Sequence, residues 1–464
     1  MKSMNKTMKY IENNLLYLVL IAQPLLDILA YLQGGDSTSV SGYLRLVLTL
    51  VIPMYTLIVI KSKRNFIAIM CIIAGFSVLH IANGFRVGYI SFFGDVKYLL
   101  LVIHMPILLF SFMYLYEKKS ILDQIIRAIK SIVIIVVVAF YVSLITKTGN
   151  YTYADAEMGW TGWYIIPNAQ SVIMSSLLPF ILYYVLKYFK KWFPISMIVI
   201  SYIYISNGTK AAYLSLILVY FVFAMFMIFE YFVKRKGKFP VYNVLMLLAL
   251  LVVVVGVYRY SPRAMLDGYA AQVREEEQSE LDEVKEEEDE EEEEKLYVES
   301  INPLLLKRFG KKSVFEAYGD DATAYEFADM RLKKLIYGTL VWKESDIITK
   351  CVGFQYPEMQ FKGENFDLEN DPHAILFYYG YIGATLYIVL LGYFVLRLIR
   401  QLIIAFRDSL NLFNFVILIS LVLQLGLAVY TGYLLRRPNV AIYLMISLLL
   451  IHCQCDDLRK GREI

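Results

Sequence analysis

The sequence is poor in the residues that build metal centres and disulfide frameworks. Among 464 residues it has only four cysteines and four histidines. The cysteines have neither metal-ligand nor disulfide spacing, and the histidines form no cluster. These eight residues are Cys71, Cys351, Cys453, Cys455, His80, His104, His373 and His452. We therefore predict no metal site and no cofactor, and interpret the acidic pair Asp320 and Asp321 as a surface turn.

The chain also lacks an excess of charge of one sign. Its 45 Lys and Arg residues are nearly balanced by 42 Asp and Glu residues, which gives a net charge of +3. A general attraction to nucleic acid is therefore not expected. No small-residue cleavage site follows the first apolar run, so that run is predicted to be a retained helix and not a signal peptide.

Apolar residues, in contrast, are abundant. They make up 58% of the chain and occur in runs of about 20 residues, the length that crosses a bilayer as a helix. We predict an all-α polytopic membrane protein with about 12 transmembrane helices. The predicted spans are 13–33, 43–60, 65–82, 96–116, 131–147, 167–187, 193–206, 211–232, 240–258, 372–397, 411–431 and 438–453.

Basic residues are concentrated in alternate connections between these spans. By the positive-inside rule those connections and both termini are predicted to be cytoplasmic. The opposite connections then face outward, including one large extracytoplasmic loop between spans 9 and 10. This places spans 1–9 in residues 1–258, the loop in 259–371, and spans 10–12 with a cytoplasmic tail in 372–464.

The large loop changes in character along its length. It contains a carboxylate run from Glu275 to Glu294, which we interpret as a flexible or singly helical spacer, with calcium binding as the alternative. Apolar and basic residues then alternate around 304–315 and again in RLKKLIYGTLVW, which begins at Arg331. Both stretches are predicted to form amphipathic helices at the membrane interface.

Seven cations that face outward are not explained by this topology: Arg45, Arg86, Lys97, Lys210, Arg331, Arg436 and Arg437. Among them, Lys210 lies in a tight outer turn and Arg331 in the loop, and the carboxylate of Glu369 lies where the loop ends. We hypothesise that the two cations bind a diphosphate and that Glu369 is a general base, converging on one pocket at the outer rim. This chemistry fits transfer from a lipid diphosphate to an acceptor hydroxyl. In the simpler alternative, Lys210 anchors a helix end and Glu369 only favours a helix start.

Four short motifs between residues 160 and 385 carry a resemblance to a known family. They are GWYIIPN from Gly162, GTKAA from Gly208, Arg331 followed by Trp342 and Val352-Gly353, and Glu369-x-Asp371 followed by YGYIG from Tyr379. Together they resemble the O-antigen ligase and Wzy-type polymerase superfamily. The chain departs from the ligases in having Glu369-Asn370 where His-Asn is usual, a variant similar to that of Gram-positive polysaccharide proteins.

The resemblance implies an inverting, metal-independent glycosyltransferase in the bacterial cytoplasmic membrane with its active site facing outside. It implies undecaprenyl-diphosphate-linked glycans as substrates, with membrane lipids, a chain-length regulator and a flippase as further partners. Glu369 and Asp371 are the predicted catalytic residues, and Lys210 and Arg331 the diphosphate ligands. Further candidates at outer positions, some of them for a second diphosphate or the growing glycan, are Arg45, Arg86, Lys97, His373, Arg436 and Arg437.

Several alternatives remain open at this stage. The Glu369-x-Asp371 variant favours a polymerase over a ligase that transfers the glycan to another acceptor. A flippase or exporter would need a cation-lined path through the membrane, and charged residues are few at mid-span. A sensor or scaffold would leave Lys210, Arg331 and Glu369 dispensable. Asp27, a carboxylate within the first span, is expected to pair internally, with Arg45 as the candidate partner.

Overall fold

A computed structural model shows that the protein is all-α. It describes residues 2–34, 40–154, 156–234, 240–269, 271–272, 275, 301–319, 326–327 and 329–457. Each predicted span corresponds to a helix, and ten of the helices are long and apolar enough to cross a membrane. The other two are the 15-residue α7 and α17, whose apolar part is short. Within the described residues the only strands are two of two residues each, which form an antiparallel pair.

The twelve helices are α1 (Lys2–Leu32), α2 (Val40–Val59), α3 (Arg64–Val87), α4 (Phe92–Leu115), α5 (Lys118–Thr146), α6 (Pro167–Tyr188), α7 (Phe193–Asn207), α8 (Lys210–Lys234), α9 (Val241–Val257), α14 (Asp371–Ile404), α16 (Leu412–Tyr430) and α17 (Pro438–Asp457). Between α9 and α14 the described residues include a helical stretch at 262–269 and four short helices, α10 (Pro303–Phe309), α11 (Lys311–Tyr318), α12 (Met330–Glu344) and α13 (Ile347–Val352). Strands β1 (Gln360–Phe361) and β2 (Glu364–Asn365) follow α13, and α15 (Phe406–Ser409) follows α14.

The centre of the bundle is formed by α6 and α17. Nearly all of α6 is buried, and α17 is buried continuously from Val440 to Ile451. A helix that is apolar on every face is suited to such a position. Polar side chains connect these helices to α16, because Ser420 Oγ donates to the Ser176 carbonyl over 3.0 Å and Gln424 donates to the Tyr443 carbonyl over 3.1 Å.

The described residues between α9 and α14 lie over one end of the bundle, which we call the loop-side end. The stretches predicted to form amphipathic helices are helical, as α10, α11 and α12. Side-chain caps begin α12 and α13: Asp329 accepts from Arg331 N at 2.8 Å, and Asp346 accepts from Thr349 N at 2.8 Å. Of the carboxylate run, only Glu275 is within the described residues; 276–294, Asp320 and Asp321 lie outside them.

Helix α14 is broken at Gly380, where the backbone from the end of α13 packs directly against it. Gly380 has φ +65° and Gly353 has φ +91°, values that glycine adopts without strain. A Cβ on either glycine would collide with the backbone of the other segment. The Phe354 N–H donates to the Phe377 carbonyl over 3.1 Å across this contact. The YGYIG motif therefore forms the place where the loop meets the bundle.

Candidate active site

The central feature of the loop-side end is the Glu369 carboxylate, which is held by two cations from α12. Arg331 Nε donates to Glu369 Oε2 over 3.0 Å, and Lys334 Nζ donates to Oε1 over 2.7 Å. The two cations are three residues apart and so lie on one face of the helix. The Glu369 side chain is 14% exposed, whereas that of Arg331 is 45% exposed. The carboxylate is thus largely enclosed, and one of its partners remains open to solvent.

The residues after Glu369 fix its backbone. Asn370 Oδ1 caps α14 by accepting from His373 N at 3.1 Å, and Asn370 Nδ2 donates to the Val429 carbonyl over 2.9 Å. Gly432 packs so closely that a Cβ there would lie 2.8 Å from the Glu369 carbonyl carbon. His373, a predicted site residue, has its Nδ1 2.8 Å from Asn370 Oδ1. The helix start and the turn after α16 therefore hold Glu369 from both sides.

Asp371 lies in a buried polar network. Its Oδ2 accepts from Leu434 N at 2.7 Å and Leu435 N at 2.8 Å, and its Oδ1 accepts from Arg436 Nε at 2.8 Å. Arg436 also donates to Asp367 Oδ1 over 2.5 Å. The side chains of Asp371 and Arg436 are 0% and 1% exposed. This network joins the turn before α17 to the start of α14.

Three tyrosine rings, those of Tyr98, Tyr356 and Tyr378, pack together beside this network. Tyr98 and Tyr356 are stacked with ring centroids 3.7 Å apart, and Tyr378 meets both rings edge-on at 5.6 Å. The Tyr98 hydroxyl accepts from Arg436 over 2.6 Å. Burial raises the pKa of Tyr356 to about 12, so its hydroxyl is neutral at physiological pH. The three rings therefore place flat apolar faces next to buried charges.

Lys210 belongs to a different cluster of side chains. Its Nζ lies 3.5 Å from Asp267 Oδ1, and Asp267 also accepts from Arg263 Nε at 2.9 Å and from the Tyr258 hydroxyl at 2.8 Å. Among the described contacts, none joins Lys210 to Glu369 or Arg331. The convergence of Lys210 with that pair therefore stays a prediction.

The other predicted cations are engaged within the protein. Arg45 is buried and pairs with Asp27 at 2.7 Å, as expected for the carboxylate in the first span. Arg86 binds Asp346 through two nitrogens at 2.6 and 2.8 Å and so joins α3 to α13. Lys97 lies 5.8 Å from the centroid of the Tyr43 ring, and Arg437 lies 4.4 Å from that of Tyr433.

Sequence reasoning did not single out Lys334, Asp367 or Arg263. The signal for Lys334 was present, because it follows Arg331 at a spacing that shares a helix face. Asp367 and Arg263 carried no such signal, since their partners are defined by the tertiary fold. Across the described ranges, no group of three or more His, Cys, Asp or Glu side chains is placed to hold a metal ion. The cations beside Glu369 are instead suited to an anion such as a phosphate.

Together these observations define a polytopic helical membrane protein with a charged, partly enclosed site at one end of its bundle. Residues 9–455 match the model of a family described as O-antigen ligase like membrane protein. The chain belongs to this family, and membership supports membrane glycan transfer as its general class of activity. No significant match was found among curated proteins or among solved structures.

Proposed function

We propose that the protein is a membrane glycosyltransferase that polymerises undecaprenyl-diphosphate-linked oligosaccharide units for a cell-surface polysaccharide. The observation that carries the proposal is the Glu369 carboxylate, held within 3.0 Å of Arg331 and Lys334 where α14 begins. A base and two phosphate-binding cations at the polar end of an apolar helix match the two halves of a lipid diphosphate, which has a charged head and a hydrocarbon tail.

In the proposed reaction, an acceptor hydroxyl gives its proton to the Glu369 carboxylate. The hydroxyl oxygen forms a bond to the anomeric carbon of the donor sugar, while the bond from that carbon to the diphosphate oxygen breaks. The electron pair leaves with the diphosphate, and Arg331 and Lys334 stabilise the charge that grows there. Direct displacement on the opposite face inverts the anomeric configuration and requires no metal ion in this scheme.

The ion pairs of Glu369 give substrate binding a role in activating the base. Both carboxylate oxygens of Glu369 are occupied, one by Arg331 and the other by Lys334, so neither is free to contact an acceptor hydroxyl. An arriving diphosphate carries more negative charge than Glu369 and competes for Arg331, whose side chain is the more exposed of the two. Binding of the donor then releases the carboxylate at the moment when the acceptor needs it.

For Asp371, which the sequence predicts to be catalytic, the contacts favour a positioning role. Three N–H groups occupy its oxygens, and its side chain is fully buried. It holds the turn that contains Gly432, which packs on the backbone of Glu369. We therefore propose that Asp371 and Arg436 set the position of Glu369. We also propose that Arg437, which lies against the Tyr433 ring, and His373, which contacts Asn370, bind the sugar units.

A flippase or exporter is less well supported. A cavity of about 630 Å³ lies among α3, α4, α14 and α17 at the depth of the spans, and its walls are almost entirely aliphatic and aromatic. A path for charged glycan heads would instead need polar or cationic walls. The proposed location is the outer face of the bacterial cytoplasmic membrane, with the loop-side end outward, as the distribution of basic residues predicts.

The test supplies the purified full-length protein with a lipid-diphosphate oligosaccharide and separates the products on a gel. We expect a ladder of products from the unaltered protein and none from Glu369→Gln. The control is Glu364→Gln. It removes the ion pair between the Glu364 carboxylate and Lys333 of α12, which are 2.9 Å apart, and leaves the contacts of Glu369 unchanged. It should still make the ladder.

Each other outcome has a definite meaning. A single shift onto a second acceptor indicates a ligase, and donor moved unchanged between leaflets of a vesicle indicates a flippase. A full ladder from Glu369→Gln would contradict the assignment of the base. Loss of the ladder in both Glu variants, with both still folded, would show that the effect is not specific to Glu369.

A further inference from the structure

Lys210 and Arg263 lie on either side of one carboxylate, that of Asp267. The Asp267 carboxylate accepts hydrogen bonds from Arg263 Nε at 2.9 Å and from the Tyr258 hydroxyl at 2.8 Å. Lys210 Nζ lies 3.5 Å from Asp267 Oδ1. Arg263 binds through its terminal nitrogen as well, so its contact is bidentate. Four donors thus surround one small anion, an arrangement that protein sites also use for phosphate oxygens.

The local fold holds these donors in place. The Tyr153 hydroxyl accepts from Arg263 Nη1 at 3.2 Å, so the guanidinium is held on two sides. Lys210 is the first residue of α8, where the positive end of the helix dipole also favours an anion. The preceding turn is fixed by Gly208, at φ +73°, with Pro262 and Gly159 packed against it. The Arg263 guanidinium and the backbone of Lys210 are therefore held in place when the anion changes.

Exposure differs among the three charged side chains in a way that suits exchange of the anion. The Lys210 side chain is 46% exposed and that of Asp267 33%, whereas that of Arg263 is 13% exposed. An incoming anion can therefore reach Lys210 and displace Asp267, while Arg263 stays fixed beneath. The hydrogen bond from Arg263 lowers the pKa of Asp267 to about 2, so the carboxylate is charged at neutral pH.

The family resemblance already implies that Lys210 binds the diphosphate head of a lipid-linked glycan. We propose that Arg263 and the Tyr258 hydroxyl complete this binding site, and that Asp267 occupies the site until the substrate displaces it. The inference rests on the proposed function for the identity of the ligand. It adds Arg263 as a diphosphate-binding residue and Asp267 as an internal competitor. Since the competition is electrostatic, it should appear in binding even where no transfer occurs.

The experiment measures the affinity of the full-length protein for inorganic pyrophosphate by calorimetry, with no acceptor present. Asp267→Asn should bind about tenfold more tightly, as expected if Asp267 leaves the site open only about a tenth of the time in the unaltered protein. Arg263→Gln should bind about tenfold more weakly, as expected for loss of a charged hydrogen bond. Adding Arg263→Gln to Asp267→Asn should reverse the gain, which assigns the effect to this cluster and not to Arg331.

The matched control is Glu358→Gln, which releases Arg308 from a 3.1 Å ion pair elsewhere in the loop. It should leave the affinity for pyrophosphate unchanged. Equal affinity in Asp267→Asn and the unaltered protein, or equal gains in Asp267→Asn and Glu358→Gln, would overturn the proposal. Pyrophosphate binding is measured without glycan transfer. If the variants show the expected changes in affinity but the unaltered protein makes no product ladder, the result counts against the proposed function alone.

Discussion

Lys334 Nζ lies 2.7 Å from Glu369 Oε1 and completes a carboxylate held by two cations of α12. Its neighbour Lys333 points to a different partner, Glu364, at 2.9 Å. Adjacent lysines on one helix therefore serve two carboxylates, and only one of these carboxylates is the proposed base. This arrangement allows the role of charge at the site to be separated from the role of charge in the fold.

Lys334→Ala should lower the rate of glycan transfer by about 100- to 1000-fold, the usual loss when one preorganised electrostatic contact to the leaving group is removed. Lys333→Ala should leave the rate per folded molecule unchanged and lower only the melting temperature, because its contacts are with Glu364 and the Phe366 ring. The measurement is ladder formation per mole of monodisperse protein. Equal rates in the two variants would contradict a role for Lys334 in binding the diphosphate.

Arg436→Met should destabilise the protein strongly. It leaves the carboxylate of Asp371 buried without a counter-charge, and breaking such a pair costs about 3–5 kcal/mol. Asp371→Asn should also lower the melting temperature, since the asparagine cannot replace the charge that faces Arg436. Both variants are measured by thermal unfolding in detergent. Full stability of Asp371→Asn with complete loss of transfer would instead favour the predicted catalytic role of Asp371.

The helices could be predicted from the sequence because apolar runs of the right length leave few other structures available in a bilayer. Asp27 was expected to find an internal partner for the same reason, and Arg45 supplies it. Helix ends were less predictable. The fifth span was predicted at 131–147, but α5 starts at Lys118, because the charged segment before the apolar run continues the helix.

The candidate site was only partly predictable. The sequence singles out Glu369 and Arg331, and in the structure Arg331 Nε lies 3.0 Å from Glu369 Oε2. The contact of Asp371 with Arg436 crosses 65 residues of sequence, a separation at which no periodicity indicates a contact. Likewise, the partner of Lys210 comes from a helical stretch at residues 262–269 that was interpreted only as the start of the loop. Such pairs are set by how the helices pack and not by local pattern.

Acid should weaken the attachment of α13 to α3. The hydrogen bonds of Arg86 and Thr349 to Asp346 hold the pKa of this carboxyl well below its ordinary value of 3.8. A lowered pKa in the folded state means that the stabilisation is present above about pH 4 and is lost as the pH falls further. The protection factors of the α13 amides, which are corrected for the slower intrinsic exchange in acid, should therefore fall below about pH 4. In Arg86→Gln these amides should exchange fast already at pH 7; unchanged protection there would contradict the prediction.

Gly380→Ala should disrupt the junction between the loop and α14. Alanine at φ +65° is strained, and its Cβ would collide with the backbone of Cys351 and Gly353, which cannot move aside as a flexible side chain can. We expect a loss of about 2–3 kcal/mol in the free energy of unfolding, together with loss of transfer, since the displaced loop carries Arg331 and Lys334.

The matched control is Gly392→Ala in the same helix, where a Cβ meets nothing within 4 Å. There alanine should be neutral or stabilising by up to about 1 kcal/mol because it favours the helix. Thermal unfolding and the ladder assay measured on both variants test this, and equal behaviour of the two alanines would show that the close approach at Gly380 does not constrain the loop.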